Sequence, residues 1–307
     1  MDQVAALQDH ELPGVVASTQ RIFIPMMEEK RSQILAVSRR TFKYGDTDRH
    51  QLDIYYPSVV AAGQKTKVLF YIYGGGFVSG ERILPAPADL AYANLGAYFA
   101  SKGVITVIPD YRLVPHVVFP EPARDVRDAV EWVATHPEHL NFGPVTEPDV
   151  QAIAVLGHSA GAVHAFTMMV LPDLHSPFAQ PNVGKLILSG GPYHFHPAGK
   201  ASIPAAGIQY WGSSEEVEKK DPMGLLGSLT NDELRALPDL LLLEAELEPS
   251  LLKVVGKDFH EALLGHPEVN VKKIYMKGHN HISGSLALGT NEGEEWADEV
   301  LAWIRGT

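Results

Sequence analysis

Ile153–Val170 reads IAVLGHSAGAVHAFTMMV. A short apolar run of strand length enters the pentapeptide Gly157–Gly161, and an almost wholly apolar stretch of helix length leaves it. Gly-x-Ser-x-Gly alone is a modest signal. Strand, sharp turn and helix in that order are the context in which a serine is lifted above a sheet edge with its hydroxyl free. The glycines leave room for a strained turn, and the start of the following helix favours negative charge developing beside Ser159. A plain turn serine at a strand–helix junction is the alternative reading.

Working outward, strand-like runs alternate with amphipathic helical stretches. Val68–Tyr73, Val104–Asp110, Lys185–Gly190, Leu240–Ala245 and Val271–Met276 suit buried strands. Gln51–Pro57 reads as a strand with RRTFKYG before it as hairpin partner and DTDRH as the turn. Pro122 sits at a helix start, with Val126, Val130 and Val133 on one face and Asp125, Arg127 and Asp128 outside it. Leu251, Val255, Phe259 and Leu263 repeat every fourth residue up to Gly265. Trp296, Val300, Trp303 and Ile304 mark a last amphipathic helix. The alternation predicts an α/β fold: a mostly parallel sheet flanked by helices on both faces, opened by an antiparallel hairpin. Two regions break the rhythm. Residues 1–36 precede the first strand, and residues 193–234 form a long insertion whose Tyr210 and Trp211 favour an ordered lid.

The chain has 307 residues, within reach of one large α/β domain with an accessory piece. A net charge of −12 argues against nucleic acid and anionic membranes as partners. There is no cysteine, so disulfides, thiolate nucleophiles and cysteine metal sites are excluded. The first 18 residues lack a basic region followed by a continuous apolar one, and no apolar run approaches ~20 residues. A soluble, cytoplasmic protein is the expectation.

The second glycine-rich segment, VLFYIYGGGFVSG (Val68–Gly80), completes the chemistry. A serine attacking a carbonyl creates an oxyanion that needs N–H donors fixed about 2.7–3.1 Å away. One would come from Ala160, the residue after the nucleophile. The others need a backbone that approaches substrate without side chains intervening, and Gly74–Gly76 supply one at a strand end. A phosphate cradle is the competing reading, but GGGFVSG is not G-x-G-x-x-G and no P-loop pattern occurs. A structural glycine turn would leave GHSAG without an oxyanion hole.

These residues resemble the hormone-sensitive-lipase-like branch of the α/β-hydrolases, which carries H-G-G-G-[FW] and G-x-S-x-G. This chain has YGGGF (Tyr73–Phe77) and GHSAG. DYRLVPHVVFPEPARD (Asp110–Asp125), YWGSSEEVEKKDPMGLL (Tyr210–Leu226) and GHNHIS (Gly278–Ser283) are similar to further family segments, in the family's order, over roughly residues 50–305. The resemblance implies an α/β-hydrolase fold with a core of 37–192 and 235–307, and a helical cap of 1–36 and 193–234. It implies that Gly75, Gly76 and Ala160 donate the oxyanion-hole N–H groups. Phe77, Tyr73 and Tyr210 are expected to meet substrate. Tyr73 stands where the family has histidine, which bears on loop geometry and substrate shape more than on the chemistry.

In this fold the triad runs Ser, then Asp/Glu, then His. His281 follows the last strand with the family's G-x-x-H spacing, and His279 is its close rival. For the acid, LLLLEAELEPS offers Glu244, Glu246 and Glu248. The family has Asp-Pro here, and Glu248 precedes Pro249, so Glu248 is favoured with Glu246 second. The pairs His279/His281 and His194/His196 lack a matching carboxylate or helical spacing, so neither a metal nor a cofactor is expected. The implied activity is a serine carboxylesterase for small to medium acyl groups, with a small-molecule ester or amide as partner. A kynurenine-formamidase-like arylformamidase, another secondary-metabolite hydrolase and a non-catalytic ligand receptor are the alternatives. By likeness to the family, a homodimer is compatible with the chain.

Overall fold

The computed structural model describes residues 1–8, 11, 12, 14–195 and 203–307. Eight strands form one sheet: β1 Arg39–Lys43, β2 Gln51–Tyr55, β3 Val68–Ile72, β4 Ile105–Pro109, β5 Ile153–His158, β6 Val183–Ser189, β7 Asp239–Leu247 and β8 Val271–Asn280. Their spatial order is β1-β2-β4-β3-β5-β6-β7-β8. β2 runs antiparallel to β1 and β4, and every later pairing is parallel. The expected α/β architecture and hairpin are therefore present.

The centre of the sheet reads as continuous apolar sequence because both its faces are covered. All five residues of β3 and all five of β4 are buried. The helix Ala160–Val170 is buried along its whole length, as its all-round apolar sequence predicts. The helix Ser250–Leu264 inserts Val255, Phe259 and Leu263, and Glu295–Arg305 inserts Trp296, Val300, Leu301 and Ile304. Each such side chain contributes about 1.5–3 kcal/mol relative to exposure.

Two sequence expectations are corrected. Asp125 was placed on the outer face of its helix, yet it is fully buried. Arg112 holds it with a forked pair of 2.6 and 2.9 Å bonds plus a 2.8 Å bond from its own backbone N–H, and His50 adds a 3.2 Å contact. A charge goes inside where bidentate partners satisfy it. β8 was expected to end at Met276, but it runs on to Asn280. Glu246 accepts the Gly278 N–H at 2.7 Å and Leu247 pairs with Asn280 beyond a register shift, so pairing continues past Gly278.

The N-terminal region carries the helix Gly14–Glu29, which buries Val15, Phe23 and Met27. The insertion carries the helices Ala205–Trp211, Ser214–Lys220, Pro222–Ser228 and Asn231–Arg235. Asp221 caps the third of these by accepting the Gly224 N–H at 2.8 Å, while its other oxygen is sealed from solvent without a partner. Burial pushes its carboxyl from 3.8 up to about 7, against the pull of the Gly224 bond. The folded state thus keeps a proton that the unfolded chain has already lost. Stability falls as pH rises from about 4 to about 7 and is flat above. Asp221→Asn keeps an oxygen for the cap and removes the charge. It is expected to raise Tm at pH 8 and leave it nearly unchanged at pH 4. Equal shifts at both pH values in thermal denaturation would refute this.

Candidate active site

Five positions of interest each follow the C-terminal end of a strand: Gly74 after β3, Ser159 after β5, Gly190 after β6, Glu248 after β7 and His281 after β8. Parallel strands deliver these ends to one rim of the sheet, where ligands of open α/β sheets gather.

Ser159 sits between β5 and its helix with φ 55° and ψ −124°, one of three non-glycine residues with positive φ among the described residues. Such a conformation costs about 1–3 kcal/mol and persists only where the surroundings impose it. Its N–H donates to Ser189 O at 2.8 Å, which anchors the turn to β6. The glycines of GHSAG have a steric reason. A Cβ on Gly161 would lie inside contact distance of Ile72 O and 2.5 Å from Tyr73 O. The helix start therefore touches the backbone of β3 directly.

That contact sets Ser159 beside the glycine loop. A Cβ on Gly74 would come 2.7 Å from Ser159 Cβ and 3.3 Å from its Oγ. Gly75 has φ 139° and Gly76 φ 59°. Gly75 O accepts from Ser79 N at 3.0 Å and Ser79 Oγ at 2.8 Å, closing a tight turn. The N–H groups of Gly75, Gly76 and Ala160 donate to no acceptor among the described residues. Unsatisfied donors of this kind at a helix start and a strained turn are a ready site for an anionic oxygen.

His281 Nδ1 lies 3.0 Å from both carboxylate oxygens of Glu248, with 2% and 4% of the two side chains exposed. The Nδ1–H donates to the carboxylate, so Nε2 carries the free lone pair. The rivals are engaged elsewhere. His279 Nε2 donates to Gly293 O at 2.6 Å and Nδ1 faces Ser283 Oγ at 2.9 Å; burial holds it below the usual imidazole range. Glu246 binds the Gly278 N–H and Glu244 pairs with Lys273.

Ser159 and His281 both line a cavity of about 510 Å³, together with Gly74, Gly75 and Gly76. No Ser159–His281 hydrogen bond is formed among the described residues; such bonds commonly tighten only when substrate is bound. Leu12, Val16 and Gln20 of the N-terminal region close one side, and Leu84, Pro85, Tyr92 and Leu286 another. No residue of 203–234 lines it.

None of the three residues expected to meet substrate lines this cavity. Phe77 stacks on Tyr210 at 4.5 Å in a buried apolar cluster with Trp211 and Val163. Tyr73 is fully buried, its ring stacked on Tyr111 at 4.8 Å and its hydroxyl donating to Asp110 at 2.7 Å. Asp110 also accepts the Arg82 backbone N–H at 2.6 Å, and Arg49 reaches Gly80 O at 2.7 Å. Tyrosine in place of the family histidine thus braces both ends of the 74–82 loop from below. Of the metal candidates, His194 pairs with Asp258 at 3.1 Å, and His196 lies outside the described residues.

The sequence reading overlooked His158, although it stands inside the motif. Its Nε2 donates to the His281 carbonyl at 2.7 Å. Burial, and secondarily the neighbouring His281, push it down to about 3, so it is neutral near pH 7 and acts as a fixed donor. It ties the loop of His281 to the turn that carries Ser159. Only the spacing of GHSAG could have signalled it.

A mostly parallel eight-stranded sheet, a positive-φ serine between strand and helix, and a carboxylate–imidazole pair on the same rim define an α/β-hydrolase fold. The BD-FAE family model matches residues 52–180. The chain is 32% identical over 112 residues to esterase LipI of Mycobacterium tuberculosis, covering 36% of this chain and 31% of LipI. It is 31% identical over 125 residues to esterase LipC of the same organism, covering 41% of this chain and 28% of LipC. The alignments thus span about a third of those relatives' own length. The solved structure of esterase B from Lactobacillus rhamnosis superposes with a TM-score of 0.69 at 16% identity, over 95% of this chain and 94% of that one. At that identity the structural likeness shows the fold alone.

Proposed function

We propose that the chain is a serine hydrolase that cleaves carboxylic esters of small to medium acyl groups through Ser159, His281 and Glu248. The observation that carries the reading is the buried His281–Glu248 pair, whose imidazole lines the cavity that Ser159 also lines. His281 Nε2 takes the Ser159 proton as Oγ bonds to the acyl carbon, and Glu248 holds the imidazole and steadies its charged form. The N–H groups of Gly75, Gly76 and Ala160 hold the oxyanion. The alcohol leaves with the proton from His281, and water then repeats the sequence on the acyl-enzyme. The described residues contain no group of three or more His, Asp or Glu side chains that could hold a metal, and no described helix is long and apolar enough to cross a membrane.

The named esterases among its relatives favour esters as substrates. The test is a set of p-nitrophenyl esters run beside an N-formyl aryl amine, with fluorophosphonate labelling of Ser159. Labelling with ester turnover is the expected result. Preference for the formyl amine would move the reading to an arylformamidase, and an unlabelled, folded protein to a ligand receptor.

A further inference from the structure

The triad carboxylate here is glutamate where the resembling family has aspartate, and its extra methylene needs room. The room lies at Gly190, one residue beyond β6. A Cβ built there would lie well inside contact distance of Glu248 Oε1, 2.9 Å from His281 Nδ1 and 3.0 Å from His281 Cε1. A single missing methyl group thus makes the space in which the carboxylate meets the imidazole.

Neither side can retreat. The preceding residue, Ser189, pairs with His158 in the sheet and accepts the Ser159 N–H at 2.8 Å, so moving residue 190 disturbs the nucleophile turn. Beyond it, Tyr193 donates its N–H to Gly191 O at 3.0 Å and stacks on Phe259 at 4.4 Å. Glu248 is fixed from the other side by the Leu247–Asn280 pairing. The cavity between Gly190, Tyr193 and Glu248 has about 20 Å³, room for one water molecule and not for a displaced carboxylate.

We infer that Gly190 is a positioning residue that sets the reach of the triad acid, so that a bare backbone at 190 and glutamate at 248 form one matched unit. Aspartate would draw the carboxylate back by about one carbon–carbon bond, ~1.5 Å, out of the volume a Cβ at 190 would take. The inference rests on the proposed serine mechanism.

A double-mutant cycle tests it. Gly190→Ala is expected to lower kcat/KM for a p-nitrophenyl ester by about 100-fold, the cost of misplacing a catalytic group by about 1 Å. Glu248→Asp lowers it as well. The combined Gly190→Ala/Glu248→Asp variant should recover at least about tenfold over Gly190→Ala alone. Residue 190 has φ +57°, so alanine is strained there whatever its neighbours. That strain is the same in both backgrounds and cancels in the cycle. Losses that simply multiply would overturn the inference. If Gly190→Ala fails to fold, refolding on adding Glu248→Asp supports the pairing, and failure of both variants refutes it. Fluorophosphonate labelling of all four forms separates the two levels. An unlabelled, folded parent protein would remove the serine mechanism and this inference with it, whereas labelled forms with multiplicative losses would remove this inference alone.

Discussion

Ser159→Ala is expected to reduce kcat for p-nitrophenyl esters by at least about 10⁴-fold while leaving the melting temperature within a few degrees. Removing any member of a serine triad leaves only the oxyanion donors and binding to act, and the serine itself is the bond-forming atom. Its Oγ makes no hydrogen bond among the described residues, so the fold loses little by its removal. Alanine carries the same positive-φ strain as serine at this position. The backbone bond from residue 159 to Ser189 O also remains. Full turnover by the folded variant would end the proposed mechanism. An unfolded variant would instead show that the elbow depends on the hydroxyl.

The second large effect is on stability. Gly161→Ala puts a methyl group against Ile72 O and Tyr73 O, where the first turn of a fully buried helix meets the end of β3. The neighbours are backbone atoms of a central strand and cannot rotate aside. Overpacking in such a place costs about 3 kcal/mol, or roughly 5 °C in Tm for a chain of 307 residues. The same displacement pushes on Tyr73 and hence on Gly74–Gly76, so the folded remainder should also lose about 10²–10³ in kcat, the cost of one oxyanion donor. Thermal melting, followed by kinetics well below the melt, reads both. A Tm within 2 °C of the parent would show that the contact relaxes freely.

The fold was legible because period and punctuation agreed. Strand-length apolar runs, an all-round apolar helix at 160–170 and a four-residue repeat at 251–263 each needed one reading only. The turn at Ser159 was legible for the same reason: sterics demand glycine on both sides of it. Pairing across the sheet was harder to read. Locally, only the proline after Glu248 sets it apart from Glu246. What separates them is that β8 continues past Gly278, which spends Glu246 on a backbone N–H and leaves Glu248 for the imidazole. Asp125 was misplaced because helical periodicity knows nothing of Arg112. The aromatic residues near the glycine loop were expected to meet substrate from the family resemblance. Stacking and the Asp110 network turn Tyr73 inward, which only the assembled structure reveals.

β8 is the outermost strand at its end of the sheet, and His281 follows directly on it. Outer strands open more readily than central ones. Warming would therefore loosen the rim before the middle: the His281 imidazole drifts from the Glu248 carboxylate while the bulk of the sheet still holds. Catalytic lifetime in this molecule would then be governed by fraying at one margin, and cross-linking or covering that margin would prolong activity more than any improvement to an already tight interior.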